Sequence, residues 1–170
     1  MVAAREGGDV KAVVVYESLW GNTAAIARAI AEGIGEGAVA LSTSEATAER
    51  VAGADLVVAG APLLGFSLPT EQMRESIRSQ PQGKPADLSS PSLRSWLEVL
   101  PAASGRGAAF ETRIWWSPGS AVKTILAGLE KAGYGIGGPA ERFIVTGRYG
   151  PLKAGEVERA RAWGQMLARA

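Results

Sequence analysis

Cysteine and histidine are both absent from the 170 residues of this chain. Without cysteine there is no disulfide, no thiolate nucleophile, no C-x-x-C redox pair and no iron–sulfur ligation. Without histidine, His-based metal sites, a Ser-His-Asp triad and the usual proton shuttle near pH 7 fall away as well. An excess of either charge is missing too: 18 Lys and Arg against 17 Asp and Glu leave a formal +1. So weak a whole-molecule field gives no reason to expect a nucleic-acid partner. No window approaches roughly 18 uninterrupted apolar residues. Met1 to Asp9 carries Arg5, Glu6 and Asp9 where a signal peptide needs an apolar stretch. A soluble cytoplasmic protein without membrane insertion is therefore expected. Any redox chemistry has to come from a bound cofactor, because these side chains do not supply it.

What is present is ordinary globular composition, 46% hydrophobic and 21% charged, in a length suited to one domain over 1–170, with 1–9 as a flexible extension. Short, β-branched, apolar runs without alternation read as strands buried on both faces: Ala12 to Tyr16, Asp55 to Ala59 and Phe143 to Thr146. Gly107 to Thr112 and Ala38 to Leu41 are weaker members of the set. Between them lie helical patterns. Ile26, Ile30 and Ile34 make one stripe between Asn22 and Glu36. Ser117-Pro118 reads as an N-cap with proline at the first helical position, ahead of Val122, Ile125, Leu126 and Leu129, and Gly133 ends that helix. A last helix starts near Gly155 and packs through Val157, Ala160, Trp163 and Leu167. Thr70 to Arg78 and Ser92 to Leu100 make shorter helices around a proline-rich surface loop, Ser79 to Pro91. The glycines at Gly33 to Gly37 and Gly133 to Gly138 read as helix C-caps. Strand–helix alternation in one chain predicts a doubly wound α/β sandwich.

The most informative segment runs from Lys11 to Ile30. Its strand ends at Tyr16, and Ser18-Leu19-Trp20-Gly21-Asn22-Thr23 turns directly into a helix. That gathers hydroxyls, an amide side chain and backbone N–H groups at a helix N-terminus beside the C-terminal end of a strand. Orphan amides and the positive end of the helix dipole favour an anion there, and Gly21 lets the backbone approach it closely. Neither a Walker A loop nor G-x-G-x-x-G is present, and with no Lys or Arg in the turn a phosphate would rest on neutral donors alone. The alternative is an N-capped helix in which Ser18 or Asn22 satisfies the orphan amides itself.

S-L-W-G-N-T after the first strand resembles the phosphate loop of the flavodoxins, T/S-x-T-G-x-T, with Trp20 where that pattern has a hydroxyl. Gly60-Ala61-Pro62 resembles the start of the family's second flavin loop, and Phe110 to Gly119 falls where the third should lie. The resemblance covers most of the chain. It implies a three-layer α/β/α sandwich around a five-stranded parallel sheet of order 2-1-3-4-5, with FMN at the first topological switch point. Flavodoxin with FMN is itself the familiar instance of that rule. Cofactor contacts are then expected from Ser18, Leu19, Trp20, Gly21, Asn22 and Thr23 in the first loop. The second would supply Pro62, Leu63, Leu64, Gly65 and Phe66, and the third Thr112, Arg113, Trp115, Trp116 and Gly119.

The second and third loops are unusually apolar, which marks a binding site or an interface. The expectation is Phe66 or Leu64 on one face of the flavin ring and Trp115 or Trp116 on the other. The other reading is that these side chains cap the sheet or make a dimer contact. Arg113 borders the third loop, although an arginine at a strand end reads as a solvated charge. Arg142, Arg148 and Lys153 likewise read as surface charge, and Trp96 and Trp163 as core. Glu17 and Glu111 are the carboxylates beside the loops and would lower a flavin potential.

The resemblance implies electron transfer, with a redox partner protein or a small-molecule acceptor; the donor, the acceptor and the oligomeric state are left open. Two alternatives remain beside it. One is an FMN-dependent oxidoreductase such as a quinone reductase or a protoporphyrinogen-oxidase-like enzyme, and the other a flavodoxin-like binding protein that has lost FMN.

Overall fold

The computed structural model describes residues 10–80 and 83–170. The extension expected over 1–9 lies outside them. The elements run β1 (Ala12–Tyr16), α1 (Asn22–Ile34), β2 (Ala38–Ser42), α2 (Ala48–Val51), β3 (Leu56–Pro62), α3 (Glu71–Arg78) and α4 (Leu93–Glu98). They continue with β4 (Arg106–Ile114), α5 (Val122–Ala132), β5 (Gly135–Ile136), β6 (Glu141–Val145) and α6 (Glu156–Arg169). All strand pairings between these elements are parallel, in the order β2-β1-β3-β4-β5, with β6 also beside β4. β5 pairs with Arg106 and Gly107 at the start of β4, and β6 with Phe110 to Ile114 at its end. The two segments therefore occupy the fifth position in succession. The break between them contains Gly138, with φ of 146°, and Pro139, which has no N–H to give to a ladder.

The strands are apolar throughout because both faces are covered. Val13, Val15, Val57, Ala59 and Ala109 pack under α4 and α5, through Leu93, Trp96, Leu97, Ile125 and Leu129. Ala12, Val14, Leu56, Val58 and Phe110 pack under α1 and α6, through Ile26, Ile30, Trp163 and Leu167. Trp96 and Trp163 are both core residues, and Phe110, Phe143 and Trp163 meet edge to face at 6.1–6.4 Å. α1 and α6 touch backbone to backbone. A Cβ on Gly33 would come within 2.0 Å of the Arg161 carbonyl oxygen, and one on Gly164 within 2.2 Å of that of Ile30. Gly33 thus serves helix contact rather than capping, and Gly35 closes α1.

α5 begins four residues later than the Ser117-Pro118 signature predicts. Its cap is not local: the buried Glu111 carboxylate of β4 accepts from the Ala121 and Val122 amides at 3.1 and 3.3 Å. Ser117 instead closes a turn, its amide donating to the Ile114 carbonyl at 3.0 Å. A charged cap on the helix's positive end, supplied from the neighbouring strand, outweighs the neutral hydroxyl.

α3 belongs to neither core. Its single buried residue is Arg74, whose Nη1 lies 2.7 Å from Glu17 Oε2 just beyond β1. Arg74 Nη2 also donates to the Ser90 carbonyl at 2.5 Å, and the Leu93 amide donates to Glu17 Oε1 at 2.9 Å. One buried ion pair thus ties α3 and the 88–93 segment to the C-terminal end of β1.

Candidate functional site

The C-terminal ends of β1, β3 and β4 open into a cleft of about 780 Å³, with α3 standing across from them as its outer wall. This is the crevice in which open parallel sheets bind ligands. At one end lies the turn from β1 into α1. Gly21, the N-cap of α1, takes φ of 92°, a left-handed conformation open to glycine. The amides of Gly21 and Ala24 donate to Ser18 Oγ at 3.1 and 3.2 Å. For Ser18 the capping alternative is therefore what the fold uses. The amides of Ser18, Leu19, Trp20, Asn22 and Thr23 find no acceptor among the described residues. They sit at the positive end of a 13-residue helix, beside open space rather than a plug of side chains.

The turn's side chains are spent on holding it in place. Asn22 Nδ2 donates to the Tyr149 carbonyl at 3.1 Å. The Thr23 and Thr112 hydroxyls share a buried bond of 2.8 Å, joining α1 to the end of β4. Trp20 Nε1 donates to the Lys84 carbonyl at 3.0 Å, and the Asp87 amide donates to that of Leu19 at 2.8 Å. The proline-rich loop after α3 is thus a buttress for the turn.

The other end of the cleft is apolar, walled by Pro62, Leu63 and Leu64 after β3, by Met73 and Ile77 of α3, and by Ile114. Leu64-Gly65-Phe66-Ser67 is a tight reversal, the Leu64 and Ser67 amides each donating to the other's carbonyl at 3.0 and 3.1 Å. Both of its central residues have positive φ, 51° at Gly65 and 76° at Phe66. That is a type I′ turn, with phenylalanine where glycine or asparagine is favoured.

Of the residues expected in the site, Leu19, Trp20, Asn22, Thr23, Pro62, Leu63, Leu64, Gly65, Thr112 and Arg113 line this cleft; Ser18, Gly21, Phe66, Trp115, Trp116 and Gly119 do not. Phe66, Trp115 and Trp116 are 68%, 75% and 65% exposed on the rim. The wall thus holds Leu64 from the expected pair on one side, and on the other an aliphatic and thioether surface instead of a tryptophan. The second and third loops meet directly, since the Ser120 amide donates to the Phe66 carbonyl at 3.1 Å. Sequence reasoning passed over the inner face of α3, which brings Gln72, Met73, Ser76 and Ile77 to the cleft, with Gln80 just after the helix. Arg148, read from the sequence as surface charge, is exposed and also lines the cleft, entering from the turn after β6.

The charges beside the site are arranged in pairs. Arg113 is not solvated: its Nη1 lies 3.2 Å from Glu111 Oε2 and donates to the Gly119 carbonyl at 3.2 Å, which pins the third loop. Glu17 is paired with Arg74, and burial pushes its carboxyl above the ordinary 4.5 against the pull of the Leu93 amide and the Arg74 guanidinium. Neither carboxylate lines the cleft, and among the described residues no other Asp or Glu does. No cluster of three or more potential metal ligands occurs among the described residues. No helix there is long and apolar enough to cross a membrane.

Solved structures place the fold. The chain is similar to a flavodoxin from the domain Archaea, with 20% identity and a TM-score of 0.65, over 93% of this chain and 96% of that one. It is similar to flavodoxin 2 from Bacillus cereus at 18% identity and a TM-score of 0.67, over 94% and 98%. It also matches 36% of the flavodiiron core of Flv1 from Synechocystis, at 20% identity and a TM-score of 0.63, over 96% of its own length. No family model matches the sequence, and no curated protein matches it either. The fold is flavodoxin-like.

Proposed function

We propose that the chain binds FMN in the cleft and serves electron transfer. The observation that carries this reading is one crevice with two chemically distinct ends: unpaired amides at the start of α1, and an apolar slot between Leu64, Met73, Ile77 and Ile114. The fit is specific to the parts of such a ligand. A phosphate is a set of acceptors for amides that have none, and a flat ring system needs apolar walls rather than charges. Among the described residues no carboxylate lines the cleft to oppose an anion.

FMN, when bound, would supply the electron chemistry that a chain without cysteine or histidine lacks. The protein's residues bind and orient. Leu19, Trp20, Asn22 and Thr23 would fix the phosphate end, with the Thr23–Thr112 bond holding that end to β4. Pro62, Leu63 and Leu64 would cover one side of the ring and exclude water, and Met73 and Ile77 the other. The amides of Leu64 and Ser67 are already turned into their own hairpin. Polar contacts to the ring edge would therefore fall to Gly65, to Gln72 and Ser76 of α3, or to Gln80 just after it.

Two features bear on where electrons go. The exposed Phe66, Trp115 and Trp116 on the rim favour a protein partner that docks over the cleft mouth. The polar residues of α3 inside the cleft favour the second reading, a small-molecule acceptor entering beside the ring. Titrating the protein with FMN tests the first step: quenched flavin fluorescence and a shifted visible band are expected, and an unaltered spectrum at saturating protein would refute it. On a protein that binds, photoreduction pausing at one electron per flavin would support the carrier, whereas steady turnover of NAD(P)H with a quinone would support the enzyme.

A further inference from the structure

We propose that Arg148 is the cation facing the ligand's phosphate, and that it makes this cleft select phosphorylated over unphosphorylated flavin. The proposal rests on the FMN reading above and assigns the charge that the first turn lacks. Among the described residues two cations line the cleft, Arg113 and Arg148, and no Asp or Glu does. The charge of Arg113 is already spent on Glu111, 3.2 Å away. Arg148 makes no ion pair among the described residues; its Nη2 donates to the neutral Gln80 Oε1 at 3.3 Å. The net charge of the cleft is therefore that of Arg148.

Its position follows from packing on the turn itself. The guanidinium carbon lies 5.9 Å from the centre of the Trp20 ring and 5.5 Å from that of Tyr149, and these rings meet edge to face at 5.0 Å. The Tyr149 carbonyl accepts from Asn22 Nδ2, and a Cβ on Gly150 would come within 2.6 Å of the Asn22 side chain. The turn after β6 is thus seated on the turn that presents the unpaired amides, and it carries Arg148 with it. Behind Arg148, a smaller hollow of about 220 Å³ contains Arg78 and Lys84 and again no Asp or Glu. Arg78 is paired with Glu75 at 2.5 Å. No neighbouring carboxylate lining either space competes for Arg148.

A cation stacked on the turn's rings beside unpaired amides gains most from a dianion and little from a neutral chain end. Trp20, which stands where the flavodoxin pattern has a hydroxyl, acquires a role here: it gives up one phosphate contact and holds the guanidinium in place.

The test compares the wild type with Arg148→Met and Arg148→Lys, each titrated with FMN and with riboflavin at low and high salt, reading flavin fluorescence. FMN affinity of the wild type is expected to fall with salt while that of riboflavin does not. Arg148→Met should cut the preference for FMN over riboflavin by about tenfold or more and flatten the salt dependence, and Arg148→Lys should restore most of both. An unchanged preference in Arg148→Met, or proportional weakening of both flavins, would overturn the proposal. A wild type that binds neither flavin would overturn the FMN reading and this inference with it. FMN binding indifferent to Arg148 would overturn the inference alone.

Discussion

Replacing Arg74 by methionine should be among the most damaging single changes in this chain, although Arg74 lies in a helix that contributes nothing to either core. Glu17 and Arg74 are 2% and 5% exposed, and their side chains meet at 2.7 Å. Methionine fills much of the arginine's volume but leaves the Glu17 carboxylate buried, with the Leu93 amide as its remaining donor. It also leaves the Ser90 carbonyl without its guanidinium. An uncompensated buried charge costs about 3–5 kcal/mol, which at this chain length lowers Tm by roughly 6–20 °C. Replacing both partners, as Glu17→Leu with Arg74→Met, removes the orphan and should recover most of the loss, because desolvation offsets much of what a buried pair gains.

The pH dependence has a defined sign. Burial raises the Glu17 carboxyl above its ordinary 4.5, so its stability contribution is full below that value and is lost as pH rises through the folded-state pKa. Removing Arg74 takes away a group that lowers this pKa, so the deficit of Arg74→Met should shrink on acidification toward pH 4. Urea denaturation of the wild type, both single variants and the double variant at pH 7 and pH 4 measures all of this. A single-variant loss below about 1 kcal/mol, or a double variant as weak as the sum of the singles, would refute the reasoning.

Three further outcomes are expected. Phe66→Asn should raise stability by about 1 kcal/mol in urea unfolding, because it relieves a positive φ at an exposed site with little packing to lose; destabilisation would show that the ring is held by contacts instead. Gly164→Ala should cost about 1–3 kcal/mol or more, since its Cβ would sit 2.2 Å from the Ile30 carbonyl oxygen, and a neutral result would mean that α1 and α6 are free to separate. Glu156 is held below the ordinary 4.5 chiefly by its hydrogen bonds from Arg159, with the Ile144 amide adding to them, so its contribution is present above that value and lost as pH falls through the folded-state pKa. Glu156→Gln should therefore lower stability at pH 7 by about 1–2 kcal/mol and flatten the acid limb of the stability curve, and an unchanged limb would contradict the assignment.

What the sequence revealed was whatever is coded locally. Ala12 to Tyr16 and the Ile26–Ile30 stripe were legible because a strand covered on both faces, and a helix covered on one, write their burial directly into neighbouring residues. The turn between them was legible for the same reason, as strand, glycine and helix are contiguous. β5, two residues of Gly-Ile, and α2, four residues long, are too short to carry a period. The start of α5 was misplaced because a local serine–proline signature was overruled by a carboxylate ten residues upstream on another element.

The site divided along the same line. The cleft-facing residues of the first two loops were found by motif, while Phe66, Trp115 and Trp116 were apolar enough to suggest a wall and proved to form a rim. Arg148 had no local signal at all. Nothing around it in sequence distinguishes it from Arg142, which is exposed as Arg148 is, and only the return of β6 beside β4 carries Arg148 to Trp20. The inner face of α3 was missed because its helix was recognised while its position, set by the buried Glu17–Arg74 pair, was not.

The backbone amides at the head of α1 offer the most direct test, since each reports on its own hydrogen bond. Amide resonances recorded with and without FMN should show Ser18, Leu19, Trp20, Asn22 and Thr23 moving strongly downfield together, while riboflavin leaves them nearly in place and perturbs residues around Leu64 and Met73. Saturation with FMN that leaves those amides where they were would contradict the account, because the phosphate would then be held elsewhere or not at all.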